Sequence, residues 1–257
     1  IINNRKYSNR YLLERNPMNE QIQELQEIID NSNHIVFFTG AGVSTASGIP
    51  DFRSTDGLYN QKYQFPPEEI LSHHFFKQHT EEFFRFYRDK MLYPDVKPSF
   101  VHQYIATLEK RNKKVTVITQ NIDGLHQLAG STNVLELHGS VLRNTCMQCH
   151  TKYSLDEILK MDTVPHCPKC NGIIKPDVVL YEEGLDETIL NQSVHALQTA
   201  DTCIVLGTSL VVYPAAGLLR YFGGKTLILI NRDQTSYDST ADLTIHDDFI
   251  NIFPNLK

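Results

Sequence analysis

Short apolar runs alternating with helical stretches constrain this chain more than any other feature. The runs are His34–Phe38, Val115–Thr119, Val134–Leu137, Cys203–Leu206 and Leu227–Ile230, several of them rich in β-branched residues. Runs of this kind suit strands buried on both faces, the condition of a parallel sheet covered by helices on either side. Residues 19–31 place Ile22, Leu25, Ile28 and Ile29 on a helical period, and Pro98–Arg111 and Asp186–Ala200 supply later helices. The expectation is an α/β fold built on a doubly wound parallel sheet. With 257 residues, 41% of them hydrophobic, the chain can bury a core of that size.

Two segments break the alternation: the aromatic, His-rich stretch Ile70–Tyr93 and the cysteine-bearing stretch Arg143–Ile174. Both are expected to form a smaller lobe inserted into the sheet domain. The layout is then one domain over 19–257, with a large lobe from about 19–55, 95–142 and 175–257 and a small lobe from about 56–94 and 143–174. Residues 1–18 read as an N-terminal extension.

Four cysteines form two pairs, Cys146-x2-Cys149 and Cys167-x2-Cys170, with 17 residues between them. That spacing lies in the zinc-ribbon range, where two thiolates of a tight knuckle reach one ion. Four thiolates close a tetrahedron, so such a zinc is structural. His150 and His166 flank the pairs and stand as alternative ligands, while Cys203, inside an apolar run, reads as an inert core thiol.

Polar and glycine residues follow the strand candidates. Gly40-Ala41-Gly42-Val43-Ser44-Thr45 comes after the first run, where glycines let the backbone approach a pyrophosphate; a tight structural turn is the other reading. Thr45 stands where a dehydrogenase fingerprint needs Gly or Ala, and Gly48 and Pro50 forbid a long helix, so a loop bearing Phe52 and Arg53 should fold over the ligand. Gly207-Thr208-Ser209 and Asn231 follow two later runs, as do Gln120, Asn121 and Asp123. Ligands of open α/β sheets sit at such carboxyl ends. His138 follows a run and precedes Gly139, which makes it a general-base candidate.

The 24 Lys and Arg against 30 Asp and Glu give a net charge of −6, which excludes a generally basic nucleic-acid footprint. The longest nearly apolar run, Leu210–Leu219, falls short of the roughly 18 residues of a membrane span. The start of the chain is polar, without the apolar stretch of a secretion signal, and the paired cysteines suit a reducing compartment. A cytoplasmic monomer without nucleic-acid or membrane partners is expected.

Taken together, the segment Gly40–Arg53, Thr119-Gln-Asn-Ile-Asp-Gly-Leu-His126, His138-Gly-Ser140, the two cysteine pairs, Lys175-Pro-Asp-Val-Val179 and Gly207-Thr-Ser-Leu210 resemble the sirtuins, a family of NAD-dependent protein deacylases. The resemblance runs from about Asn19 to the C-terminus. It implies a Rossmann-like domain, a zinc-ribbon and helical lobe, and a cleft taking NAD as co-substrate and an acyl-lysine protein or peptide. By position, Ala41, Thr45, Phe52 and Arg53 resemble the NAD loop, with Gly40, Gly42 and Gly207 beside it. Gln120, Ile122 and Asp123 resemble residues holding nicotinamide and ribose, and Asn121 one positioning ribose and a water. His138 resembles the general base, with Asn121 and Asp123 completing the catalytic set. Thr208, Ser209, Asn231 and Asp248 resemble the adenosine-side contacts. Val178–Tyr181 and Leu210–Tyr213 resemble two strips between which a substrate strand adds.

The implied products are nicotinamide, free lysine and 2'-O-acyl-ADP-ribose. ADP-ribosyl transfer to protein, or a non-catalytic NAD-sensing module, are the competing functions, and intact Asn121, Asp123 and His138 favour deacylation. The chain departs from the family at Glu182-Glu183, where Gly-Glu is common, losing a residue suited to positive φ and adding a carboxylate beside the peptide strip. Members that remove succinyl or malonyl groups carry a Tyr-x-x-Arg pair; aligned without gaps, its positions fall on Phe84 and Tyr87, so neutral acyl groups are expected. A shift of one residue would put Arg88 there instead.

Overall fold

The computed structural model describes residues 17–52, 57–58 and 64–257. Helix α1 (Pro17–Asn31) opens on a proline, whose missing N–H costs nothing in a first turn, and buries Ile22, Leu25 and Ile29. It leads into β1 (His34–Thr39), all six residues of which are buried. Downstream follow α2 (Pro67–Ile70), α3 (His73–Gln78), α4 (Thr80–Lys90), α5 (Phe100–Lys110), β2 (Lys114–Thr119), α6 (Leu125–Ala129) and β3 (Val134–Glu136). A second group comprises β4 (Gly139–Cys146), β5 (Lys152–Ser154), α7 (Leu155–Leu159) and β6 (Ile174–Val178). The chain then returns through α8 (Glu187–Thr199), β7 (Thr202–Leu206), β8 (Thr226–Ile230), β9 (Leu243–Ile245) and α9 (Phe249–Ile252).

Six strands form one parallel sheet in the order β3-β2-β1-β7-β8-β9. Strand alternation sorts its side chains into two layers. Ile35, Phe37, Val117, Ile204 and Ile228 point to the side covered by α1, α5 and α9, whereas Val36, Phe38, Ile118, Val205 and Leu229 point to the side covered by α8 and the 3-10 turn Ala216–Tyr221. The expected doubly wound sheet is therefore observed. Its strand order reverses between β1 and β7, the switch point at which ligands of such sheets bind. Cys203 is fully buried in β7, and burial pushes its thiol pKa up, as an inert core residue requires.

The second sheet is antiparallel, in the order β5-β4-β6. Beside it, α2–α4 pack an aromatic cluster of Phe75, Phe76, Phe83, Phe84, Phe86 and Tyr87 against Val141, Leu155, Val178 and Leu180. Phe76 meets Phe83 edge-on at 5.0 Å, and Phe83 stacks on Tyr87 at 5.7 Å. The lobe boundaries expected at 142/143 and 174/175 fall within β4 and β6. Among the described residues, no helix is long and apolar enough to cross a membrane.

Candidate active site

The chain leaves β1 through Gly40 into the turn Ala41–Ser47, a 3-10 helix that stops at Gly48, where φ is 91°. The predicted absence of a long helix is thus met, and Gly48 N–H caps the carbonyls of Ser44 and Thr45. What approaches the glycines most closely in this structure is the turn after β7. A Cβ on Gly40 would lie 2.6 Å from Thr208 Cβ, and one on Gly42 would lie 2.7 Å from Gly207 Cα. The cause is topological: β1 and β7 are neighbours, so their exit loops meet. Gly40 N–H donates to Leu206 O at 3.0 Å and Gly42 N–H to Gly207 O at 2.9 Å.

A polar network joins this turn to the exit of β2. Ser44 Oγ donates to Asp123 Oδ2 at 2.7 Å and accepts from Asn121 Nδ2 at 3.1 Å. Asp123 Oδ1 accepts from Leu125 N–H at 2.8 Å. Burial raises the Asp123 pKa, and the bonds from Leu125 and Ser44 pull it back. The sequence reading left Ser44 out of the site; its one sequence signal is its place within the glycine motif.

His138 stands between β3 and β4. Its Nδ1 lies 2.9 Å from Gln120 O, an atom that can only accept, so Nδ1 carries the proton and neutral Nε2 holds a free lone pair. Burial lowers its pKa and the Gln120 carbonyl raises it, leaving the ring neutral at pH 7. The neighbouring Gly139, at φ 74°, is indispensable: a Cβ there would stand 1.9 Å from Asp177 O.

The adenosine-side candidates form a clamp. Thr208 N–H donates to Asn231 Oδ1 at 3.0 Å, Asn231 Nδ2 donates to Thr208 O at 2.9 Å, and Gln120 Nε2 donates to Thr208 Oγ1 at 3.0 Å. Asp248 caps α9 by accepting from Ile250 N–H at 3.2 Å. Gly40, Ala41, Gly42, Thr45, Phe52, Gln120, Asn121, Ile122, Asp123, His138, Gly207, Thr208, Ser209, Asn231 and Asp248 all line one cleft of about 530 Å³. Arg53 lies outside the described residues. A cleft of this size, with a glycine turn and four strand exits at its base, suits a dinucleotide.

One of the two peptide strips is engaged at its Tyr181 end, whereas Val211 and Tyr213 of the other are exposed. Tyr181 N–H donates to Leu71 O and Tyr181 O accepts from His73 N–H, both at 3.0 Å, so this edge is already paired with the helical segment. Glu182 adopts φ 76° despite having a side chain, because His74 holds its carboxylate through N–H and Nδ1. The loss of glycine here therefore leaves the turn intact. Further into the cleft, Leu58, Ile122, Val178, Leu180, Tyr87 and Met91 make an apolar wall. Phe84 and Tyr87 are buried, whereas Arg88 turns away to the carbonyls of Ile158, Met161, Asp162 and Thr163.

The four paired cysteines converge, their sulfurs all within 4.8 Å of one another. Cys146 and Cys170 are 3.4 Å apart, and Cys149 and Cys167 3.6 Å. A tetrahedron with arms of about 2.3 Å has edges of about 3.8 Å, so the set fits zinc without rearrangement. His150 and His166 are not part of it. None of the four lines the cleft.

The Sir2 family model matches residues 40–214. An NAD-dependent protein deacetylase of Clostridium acetobutylicum is 59% identical over 231 residues, 89% of this chain and 94% of the relative. One from Staphylococcus aureus strain Mu50 is 47% identical over 241 residues, 93% and 99% of the two chains. Among solved structures, a Sir2 complex with NAD+ and a peptide has a TM-score of 0.79 at 38% identity, covering 91% of this chain and 95% of that one. Sir2 bound to a propionylated peptide gives 0.80 at 37%, covering 91% and 95%. Matched by the family model over residues 40–214 and by relatives 47–59% identical over about nine-tenths of its length, the chain belongs to the Sir2 family.

Proposed function

We infer that the protein is an NAD-dependent protein-lysine deacylase acting on acetyl-lysine. The observation that carries this reading is His138: a neutral imidazole with Nδ1 committed to Gln120 O, on a cleft lined by the glycine turn and the Asn121–Asp123 segment. The relatives named as NAD-dependent protein deacetylases span the same length and support it. NAD, when bound, would supply an electrophilic ribose carbon; with one water consumed, the products are nicotinamide, free lysine and 2'-O-acyl-ADP-ribose.

The chain's own residues hold, orient and move a proton. His138 Nε2 accepts a proton from the ribose hydroxyls. Asn121 and Asp123, fixed by Ser44, position the ribose and the nicotinamide side together with Gln120 and Ile122. Ala41, Thr45 and Phe52 cover the reacting face, with Gly40, Gly42 and Gly207 setting the floor, and the resemblance adds Arg53 to the same motif. Thr208, Ser209, Asn231 and Asp248 serve the adenosine end. Cys146, Cys149, Cys167 and Cys170 hold a structural zinc, which keeps the antiparallel sheet folded and supplies no step. The large-lobe and small-lobe division and a cytoplasmic location complete the reading.

The apolar wall and the outward course of Arg88 favour neutral acyl groups, since Phe84 and Tyr87, at the positions of the carboxylate-binding pair, offer a buried acyl carboxylate no charge. The test is mass spectrometry of an acetyl-lysine peptide incubated with the protein and NAD. Acyl-ADP-ribose and free lysine are expected. A mass gain on protein would instead indicate ADP-ribosyl transfer, and no product a binding module.

A further inference from the structure

Two histidines lie beneath the glycine turn and have no part in the roles above. His102 of α5 and His126 of α6 are 0% and 1% exposed, with ring centroids 4.6 Å apart and planes at 61°. Each ring commits one nitrogen toward an element that shapes the cleft. His126 Nε2 meets Thr39 Oγ1 at 3.0 Å, on the last residue of β1. His102 Nδ1 meets Ser99 Oγ at 2.8 Å, and that oxygen lies 3.1 Å from Val43 O within the glycine turn. The remaining nitrogens, His102 Nε2 and His126 Nδ1, are buried without a hydrogen-bond partner.

The rings meet edge to face, so their contact is one of packing, and the two orphan nitrogens lie unbonded in a site that favours neutral imidazoles. Protonating either ring would bury a charge with no partner for its added N–H. Burial depresses both titrations, His102 to about 4 and His126 well below the ordinary imidazole value, with His102 nearby lowering His126 in addition, which keeps the pair neutral at pH 7.

We propose that His102 and His126 form a positioning pair that ties the end of β1 to the glycine turn and holds residues 40–47 in the shape that receives the diphosphate of NAD. The proposal rests on the reading of the cleft as an NAD site. Neither ring lines that cleft, so the pair acts through Thr39, Ser99 and Val43.

The experiment is calorimetric titration of the full chain with ADP-ribose, which lacks nicotinamide and reads the diphosphate side without turnover. Thr39→Val and Ser99→Ala each cut one tether and leave both rings in place. Each should weaken ADP-ribose binding by about fivefold, the worth of one buried hydrogen bond, and raise KM for NAD in proportion while kcat at saturating NAD holds. His126→Leu should lose as much, and His126→Gln, whose amide can still reach Thr39, should recover part of it. Unchanged ADP-ribose affinity in Thr39→Val and Ser99→Ala, with only the melting temperature lowered, would reduce the pair to a stabilising contact and overturn the proposal. Because binding is read without chemistry, weakened affinity in the variants supports the pair even if the protein fails to release lysine, a failure that counts against the deacetylase reading alone.

Discussion

Strand β1 buries every residue between two parallel neighbours, whereas β4 ends at a site where Cys146, Tyr153, Ile158, Cys167 and Ile174 are the whole buried cluster. The first region carries two full hydrophobic layers, and deleting one buried phenylalanine from it would cost about 3–5 kcal/mol without removing the rest. The second has two thiols among five core residues. Apolar burial at that end is too small to hold the knuckles, and metal–sulfur bonds take over the task. The difference teaches that one chain can pair a self-sufficient sheet with a sheet that depends on an ion.

Removing the ion should break that partnership most severely. Cys146→Ser, or strong chelation, is expected to abolish deacylation and free the amides of β4–β6 to exchange, while β1, β2 and β7 stay protected in hydrogen-exchange measurements. Simultaneous loss of protection in both sheets would show them to be one cooperative unit. Next in size is His138→Ala, which should lower kcat by at least about a hundredfold while zinc content and melting temperature hold. Near-normal turnover would remove His138 from the mechanism.

A smaller effect concerns the aromatic helices packed beside the antiparallel sheet. Matched peptides should show kcat/KM for acetyl-lysine exceeding that for succinyl-lysine by about tenfold or more, since Phe84 and Tyr87 carry no charge and Arg88 is turned away to backbone carbonyls. Equal or faster succinyl removal would overturn the assignment. The smallest belongs to the parallel-sheet region alone. His102 titrates near 4 in the folded chain against 6.5 when unfolded, so its contribution is complete above pH 6.5 and is lost as pH falls toward 4. Denaturant unfolding should register about 2 kcal/mol of loss at pH 5 from His102, and His102→Leu should make the dependence shallower, with His126 supplying what remains.

Legibility from sequence followed the same division. Five strands of the parallel sheet could be read because burial on both faces writes a continuous apolar run, as in Ile35–Phe38. Strand β9 could not, being three residues with Thr244 at its centre, and neither could β4, whose Leu142 and Arg143 face outward within a strand of mixed burial. The cysteine set was legible because metal geometry imposes local spacing. Ser44 and the His102–His126 pair were hidden, since their partners lie 79, 77 and 24 residues away and buried polar contacts leave no periodic mark. Glu182 misled in the other direction: a positive φ suggests glycine until His74, 108 residues distant, is known to hold the carboxylate.

Leu137 and His138 are the only residues between the parallel and the antiparallel sheet at the β3–β4 crossing, and Val179 N–H of the second sheet's edge donates to His138 O at 2.9 Å. Two residues span about 7 Å at full stretch. His138 is thus moored to both sheets at once, and a shift of either drags the imidazole with it. Damage to the ribbon should accordingly register as slowed turnover before it registers as weakened dinucleotide affinity, with the backbone at 137–138 serving as the gauge.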